Sequence, residues 1–389
     1  MLPSNSTRAL KNLGTFSTTH MDEAAKEVFQ HYASLNGIDS CAYPELVDIE
    51  NECSNFFLKL FHAPIINDYR ALVASGSSET IFMTLLFLKN YWKAKNPKTH
   101  EQPNFIIGQN SHTAWQKAAT FLDISLRFIP ICPKHLHLNE ALLYEKIDKN
   151  TIGMNCTLGA PTTLVFDDVE KINAVLQRHH QENKHFVPIH VDAASGGFVA
   201  PFFYPEMKWD FRLPHVVSIN VSSHKFGLVY PSLGWLCVRD DIVSETLAHE
   251  NDYLGKSIKR YPIQFSHSAS HLVTQHYHIQ TLGFQGYEKI TQHLFELTNL
   301  LANELARFEQ ITLIGSSNKF SIPGIVFATH GSVAQLANHL SLNDWHLPTF
   351  KLPHPAYQNC ASRIIIRHGF NEKLMHNLLN DLDDYFTAS

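Results

Sequence analysis

Four short apolar runs, at residues 104–107, 152–156, 186–191 and 216–221, punctuate the first two thirds of the chain. Between them apolar residues recur every three or four positions, as at 113–122 and 169–180. Apolar runs this short, bounded by turn-forming residues, read as strands buried on both faces, and the intervening period reads as amphipathic helices. Strand and helix in alternation predict an α/β fold around a mainly parallel sheet. Ligands of such sheets bind beyond the carboxyl ends of the strands, so the polar segments 109–112, 157–163, 192–197 and 222–225 are the places to look for chemistry.

From Tyr287 the texture changes. An amphipathic helix to about 308, a strand at 324–328, a helix from Val333, an apolar run at 362–367 and a closing helix at 372–386 predict a small α+β C-terminal domain. The expected division is an N-terminal segment, 1–40, a large domain, 41–286, and a small domain, 287–389. No fixed-period repeat marks a solenoid. The longest strongly apolar stretch, 81–88, is too short to span a bilayer, and 1–11 lacks the apolar centre of a signal peptide, so no membrane partner is expected.

Composition narrows the function classes. Lysine and arginine number 31 against 36 acidic residues, a formal charge of -5, with no basic run, which argues against a nucleic-acid partner. The six cysteines are scattered without a C-x-x-C pair, as expected of reduced thiols in a cytoplasmic protein. The 25 histidines are the unusual entry in the composition. His267 and His271 stand four apart with His276 and His278 behind them, and His179, His180 and His185 form a second group. A histidine-rich metal-binding protein is therefore the rival reading, but neither group carries an H-E-x-x-H motif or a neighbouring carboxylate, and no metal is expected. Gly255-Lys256-Ser257 does not extend to a P-loop, because Glu250 stands where the first glycine is needed.

Three strand-end segments carry complementary chemistry. Ser222-Ser223-His224-Lys225 follows the run 216–221, and a partly desolvated lysine there has a lowered pKa and an amine able to attack an aldehyde. The plain alternative is a surface lysine. Asp192 ends the run 186–191 and is followed by Ala193-Ala194-Ser195-Gly196-Gly197. A carboxylate in that place needs a cationic or hydrogen-bonding partner, which a protonated pyridine nitrogen supplies, and the small residues let a flat ring approach; a simple turn cap is the alternative. Ser75-Gly76-Ser77-Ser78-Glu79 precedes the helical stretch 80–88, where open amides and two hydroxyls form a phosphate cup. Phosphate cup, ring-nitrogen acid and aldehyde-binding lysine together describe a site for pyridoxal 5'-phosphate.

The segment 190–240, HVDAASGGFVAPFFYPEMKWDFRLPHVVSINVSSHKFGLVYPSLGWLCVRD, resembles the core of the glutamate decarboxylases, group II pyridoxal-phosphate decarboxylases of the aspartate-aminotransferase fold type. A looser likeness takes in Asn12-Leu13-Gly14-Thr15-Phe16, Ala42-Tyr43-Pro44, Asp252-Tyr253-Leu254-Gly255, Gln264-Phe265-Ser266 and the stretch 363–370. The resemblance implies fold type I and decarboxylation of an L-amino acid, L-glutamate to 4-aminobutanoate first among the options, with aspartate, tyrosine, histidine or DOPA as alternatives.

Position by position, the resemblance makes Lys225 the Schiff-base lysine and Asp192 the partner of the pyridinium nitrogen. Ser77, Ser78 and His224 would hold the phosphate, with Ser266 from a neighbouring subunit. His112 would stack on one face of the ring and Ala194 pack on the other. Tyr253, in a motif the family places on a mobile loop, resembles the donor that reprotonates the α-carbon, and Arg363 the group that holds the α-carboxylate. Thr15, Phe16, Asn36 and Asp39 match positions around the distal carboxylate of glutamate. Pro161, Leu164 and His267 depart from the family pattern, which opens the substrate question. A homodimer with sites at the interface is the implied assembly, 1–40 contributing to pocket and interface. The likeness begins near Asn12 and ends after the last helix, so it implies neither hexamer formation nor control by a terminal tail.

Overall fold

The computed structural model describes residues 6–39, 41–98, 100–132, 134–251, 258–315, 319–353 and 360–388. Seven strands form the large sheet: β1 (Tyr69–Ala74), β2 (Asn104–Gly108), β3 (Ser125–Ile129), β4 (Thr151–Thr157), β5 (Ile189–Asp192), β6 (Val216–Val221) and β7 (Gly234–Arg239). Their order is β1-β7-β6-β5-β4-β2-β3, and only β7 runs against its neighbours. Every residue of β2, β4, β5 and β6 is buried. That is the consequence of helices covering both faces, and alternate side chains serve opposite sides. Ile106 joins the larger core with Met154, Val191 and Ile219, whereas Phe105 and Ile107 join the other core with Ile152 and Val217.

The predicted strand at 186–191 is shorter than expected, beginning at Ile189. Pro188 has no N–H to give a ladder, and Phe186 stacks instead on His215 with ring centroids 4.5 Å apart. Three strands of this sheet were not signalled. The sheet edges β1 and β3 are only partly buried and, like β7, contain an arginine (Arg70, Arg127, Arg239), which breaks the apolar run.

Beyond this sheet, β8 (His249–Asn251) pairs with β9 (Ile258–Arg260). A four-stranded antiparallel sheet of β10 (Ile311–Ile314), β11 (Gly324–Thr329), β12 (Thr349–Lys351) and β13 (Cys360–Ile365) has the order β10-β11-β13-β12. The helix expected from 287 starts earlier and spans Ser270–Leu305, with Gly283 (φ 55°, ψ −162°) interrupting its helical dihedrals. Fold type I is therefore the architecture: a large, mostly parallel sheet and a small antiparallel one.

Two local features place the site. The N-terminal segment crosses from the small sheet to the large one: Ile365 N donates to Leu13 O (2.8 Å), and Thr18 N donates to His224 O (2.7 Å). Where β1 gives way to the helix Ser77–Lys95, Gly76 adopts φ +149°, and a Cβ on facing Gly234 would lie 2.7 Å from Gly76 Cα. Only glycine lets β7 and this turn approach so closely.

Candidate active site

The carboxyl ends of β1, β4, β5 and β6 open onto one cavity of about 450 Å³, within the range of small-molecule sites. Ser77, Ser78, His112, Asp192, Ala194, His224, Lys225, Thr15, Phe16 and Arg363 all line it. Asn36, Asp39 and Ser266 do not. Asn36 is tied instead to the stretch that follows Ser266, with its Oδ1 accepting from His267 N (3.3 Å) and Gly37 N donating to His267 O (2.8 Å). Asp39 accepts from Ala42 N (3.1 Å), and Ser266 is exposed. Tyr253 lies outside the described residues.

A buried chain of hydrogen bonds couples the strand ends, and its polarity follows from the donors available. His190 Nε2 donates to Asn220 Oδ1 (2.6 Å), while its Nδ1 accepts from Ser218 (2.8 Å). Burial pushes His190 down to about 4, which keeps the ring neutral in that role. The two hydrogens of Asn220 Nδ2 go to Asp192 Oδ1 (3.2 Å) and Ser77 Oγ (2.7 Å). Ser77 Oγ and Ser222 Oγ lie 2.6 Å apart, so one of the two hydroxyls donates to the other and a single hydroxyl hydrogen of the pair is left for an anion in the cavity. Trp115, Asn220 and Ser222 were given no role from sequence. A detectable signal was Asn220 itself: an amide inside an otherwise apolar buried strand demands partners.

Asp192 is buried and accepts from Asn220, from Ala194 N (3.2 Å) and, at Oδ2, from Trp115 Nε1 (3.1 Å). One lone pair of Oδ2 is left for a further donor. Lys225 Nζ donates to Ser195 Oγ (3.2 Å) and stands 5.4 Å from the Phe16 ring centre. Desolvation lowers its pKa below the ordinary lysine value, Asp192 opposes this, and Arg363 adds to it. His224 donates from Nδ1 to Leu233 O (3.0 Å), and burial, with Lys225 adding, pushes its pKa down to about 4. His112 sits at the mouth, its Nδ1 accepting from Ala114 N (3.0 Å), and desolvation lowers its pKa.

Arg363 is held in the wall by backbone carbonyls and two aromatic rings. Its Nη1 donates to Pro161 O (2.7 Å), its Nε and Nη2 reach Gly14 O (3.3 and 3.2 Å), and its guanidinium lies 4.8 Å from the Phe16 ring and 5.1 Å from the Phe350 ring. Burial pushes its pKa down to about 10, still fully charged at neutral pH. The three departures in sequence have different consequences. Pro161 is in the wall and holds Arg363 through its carbonyl. Leu164 is not in the wall; it is buried behind it at φ +62°, the left-handed conformation natural to glycine. His267 packs over Gly37, away from this cavity.

The arrangement fits pyridoxal phosphate on its own terms: a helix N-terminus with Ser77, Ser78 and the Ser222 hydroxyl for the phosphate, a carboxylate with spare acceptor capacity for a ring N–H, and an amine for the aldehyde. The comparisons agree. The model of the pyridoxal-dependent decarboxylase conserved domain matches residues 15–330, and the chain belongs to that family. Glutamate decarboxylase of Solanum lycopersicum is 32% identical over 383 residues, covering 96% of this chain and 76% of the relative. Glutamate decarboxylase of Lactococcus lactis is 31% identical over 387 residues, covering 97% and 83%. The solved glutamate decarboxylase of Lactobacillus brevis superposes with a TM-score of 0.92 at 34% identity, covering all of this chain and 90% of that one. A Burkholderia pseudomallei sphingosine-1-phosphate lyase, at 18% identity and a TM-score of 0.82, shares the fold. The protein is a pyridoxal-phosphate-dependent carboxy-lyase of the glutamate decarboxylase group.

The histidine surplus divides in the structure. Among the described residues, neither group singled out by spacing gathers three metal-ligand atoms; His179 meets His185 ring to ring at 5.8 Å, and His276 pairs with Glu52. Eight histidines, at 112, 185, 190, 215, 224, 271, 278 and 368, are held below their ordinary pKa, with desolvation the main cause in each. Protonating all 25 would carry the charge from -5 to about +20, but these eight resist while the chain is folded. Each binds its proton more readily when unfolded, so stability is full above pH ~6.5 and falls as pH drops toward ~4. The melting temperature should decline steadily over that window. His278→Gln, at a buried ring whose pKa is about 4, should flatten the decline, by an amount on the order of 1–3 kcal/mol at its acid end. An unchanged slope in the variant would contradict the assignment.

Proposed function

We propose that the protein converts L-glutamate to 4-aminobutanoate and carbon dioxide. The observation that carries this is the meeting of Lys225, Asp192 and Arg363 in one cavity walled by Thr15 and Phe16. The names and coverage of its relatives support glutamate as the substrate. Carbon dioxide release from glutamate, compared with aspartate, tyrosine, histidine and DOPA, tests it: glutamate should exceed each by at least about tenfold in kcat/KM, a margin one satisfied charge pair provides.

When bound, pyridoxal phosphate supplies an aldehyde that captures the substrate amine and a ring that accepts the electron pair left by carbon dioxide. The chain's residues do the rest. Ser77, Ser78, Ser222 and His224 would hold the phosphate end, His112 and Ala194 would confine the two faces, and Asp192 would hold a proton on the ring nitrogen. Lys225, its pKa lowered by desolvation, would hold the aldehyde and give way to the substrate amine. Arg363, clamped by Pro161 and Gly14 and flanked by two aromatic rings, fixes the α-carboxylate. Tyr253 is the proposed proton donor to the α-carbon. Arg363→Lys loses the planar fork and the ring stacking, so KM should rise about 10–100-fold with a smaller change in kcat. Steady-state kinetics separate the two.

A homodimer completes the site in this reading. Ser266, Asn36 and Asp39 stand outside their own cavity, and Ile263, Phe265 and Phe121 expose apolar surface of the kind that marks an interface. Glu79 supports the geometry: its carboxylate ties Ser75 at the phosphate cup to the backbone of Ile263 and Gln264, just before Ser266. We read 1–40, 41–286 and 287–389 as the functional divisions. Cys41, Cys53, Cys132, Cys156 and Cys237 are free thiols, which supports a cytoplasmic setting; no described helix is long and apolar enough to cross a membrane.

A further inference from the structure

Among the described residues, one group of side chains outside the cavity has ligand geometry, although one member lies too far from the others along the chain for spacing to signal it. His20 and Asp22 flank the start of the helix Glu23–His31, and His368 follows β13 almost 350 positions later. Their ligand atoms lie within 4.8 Å of one another. Asp22 occupies the N-cap of its helix, where an aspartate ordinarily accepts a backbone N–H, yet its side chain makes no capping bond. Its Oδ1 lies instead 3.8 Å from His20 Nε2 and 3.6 Å from His368 Nε2. Both distances exceed a direct hydrogen bond. They approach the roughly 3.4 Å that separates two donors bound to one tetrahedral ion at about 2.0–2.1 Å.

We propose that His20, Asp22 and His368 bind a divalent transition cation of the zinc type. Two imidazoles and one carboxylate suit borderline divalent ions and disfavour magnesium or calcium, which take oxygen ligands. Three protein ligands leave a coordination position for water, and Asp22 is exposed enough to admit it. The His20 and His368 ring centroids are 5.3 Å apart with the planes tilted by 49°, so the two imidazoles are already neighbours. Desolvation holds His368 below its ordinary pKa, which keeps the neutral, ligating imidazole at neutral pH.

The position gives the ion a purpose. Thr15, Phe16 and Ser17 wall the substrate cavity, Thr18 Oγ1 donates to Lys225 O (2.7 Å), and Thr19 Oγ1 accepts from Arg367 Nε (3.0 Å). The strap thus leaves the active site and reaches the cation ligands within a few residues, and its far ligand comes directly after Arg367. A cation there pins the strap to the C-terminal part of the chain and stiffens the wall beside Lys225.

The test is zinc binding to chelator-treated holoenzyme, followed by calorimetry, for the natural protein, Asp22→Asn and the double variant His20→Gln/His368→Gln. We expect one strongly bound zinc per chain in the natural protein, weakened at least tenfold in both variants, with cofactor absorption unchanged. X-ray absorption should show an all nitrogen and oxygen shell, and zinc should raise the melting temperature of the natural protein alone. Asp22→Asn is nearly isosteric at an exposed position, so it remains informative if the double variant folds poorly. Equal binding by all three proteins, no binding by the natural protein, or a shell containing sulfur from exposed Cys41 would overturn the proposal.

Discussion

Lys225→Ala should lower kcat/KM by about 10³-fold or more, because one side chain both anchors the cofactor and provides the internal amine that substrate displaces. The fold should persist, since the lysine faces a cavity and its one direct side-chain bond is to Ser195. Borohydride treatment should leave a cofactor-modified peptide containing Lys225 in the natural protein and none in the variant. Lys225→Arg should not rescue activity: a guanidinium keeps its charge at all working pH values and offers no free amine. Activity in either variant within tenfold of the natural level, without added amine, would remove Lys225 from the mechanism.

The second large effect is expected at Asp192. A carboxylate paired with a ring cation at about 4 Å in a partly shielded site is worth about 4 kcal/mol, equivalent to a factor of about 10³ in rate. Asp192→Asn removes that charge, and kcat should fall by about this factor while the cofactor still binds through its phosphate. The substitution also turns an amide toward a group that has only a hydrogen to offer: with Oδ1 still accepting from Asn220 and Ala194, the new Nδ2 faces Trp115 Nε1. Opposed donors cost about 1–3 kcal/mol of stability, so a modest drop in melting temperature should accompany the loss. Removing Trp115 Nε1 as well, in Asp192→Asn/Trp115→Phe, should recover much of that stability and none of the rate. Recovery of both would show that the carboxylate matters for packing and not for charge.

Much of this architecture was legible in one dimension because its causes are local. A parallel sheet covered on both faces demands uninterrupted apolar strands, and β4 and β6 show that pattern along their whole length. Lys225 and Asp192 were legible for the same reason: in such a sheet, polar residues directly after a buried strand have few places to go except the ligand crevice, whereas the Ser77–Ser78 pair was legible from the helix it begins. The edge strands were not, because a strand with one partner tolerates charges, and Arg70 and Arg127 hide β1 and β3. The helix Ser270–Leu305 was legible only from 287, because Gly283 and Gly286 stand just before that point and Gly283 does leave helical dihedrals.

The sequence by itself determined the fold class, the order of the large-sheet chemistry and most of the side chains that line the cavity, since each depends on neighbours a few positions apart. Only the tertiary structure decided how those residues are wired and which belong together. Asn220 links Ser77 to Asp192 across more than a hundred positions, Pro161 and Gly14 clamp Arg363 from 202 and 349 positions away, and His20, Asp22 and His368 converge although none of them stood out by spacing. Hydrogen bonding and ion ligation act over about 2–4 Å in space whatever the separation along the chain, and that proximity exists only once the sheets are assembled.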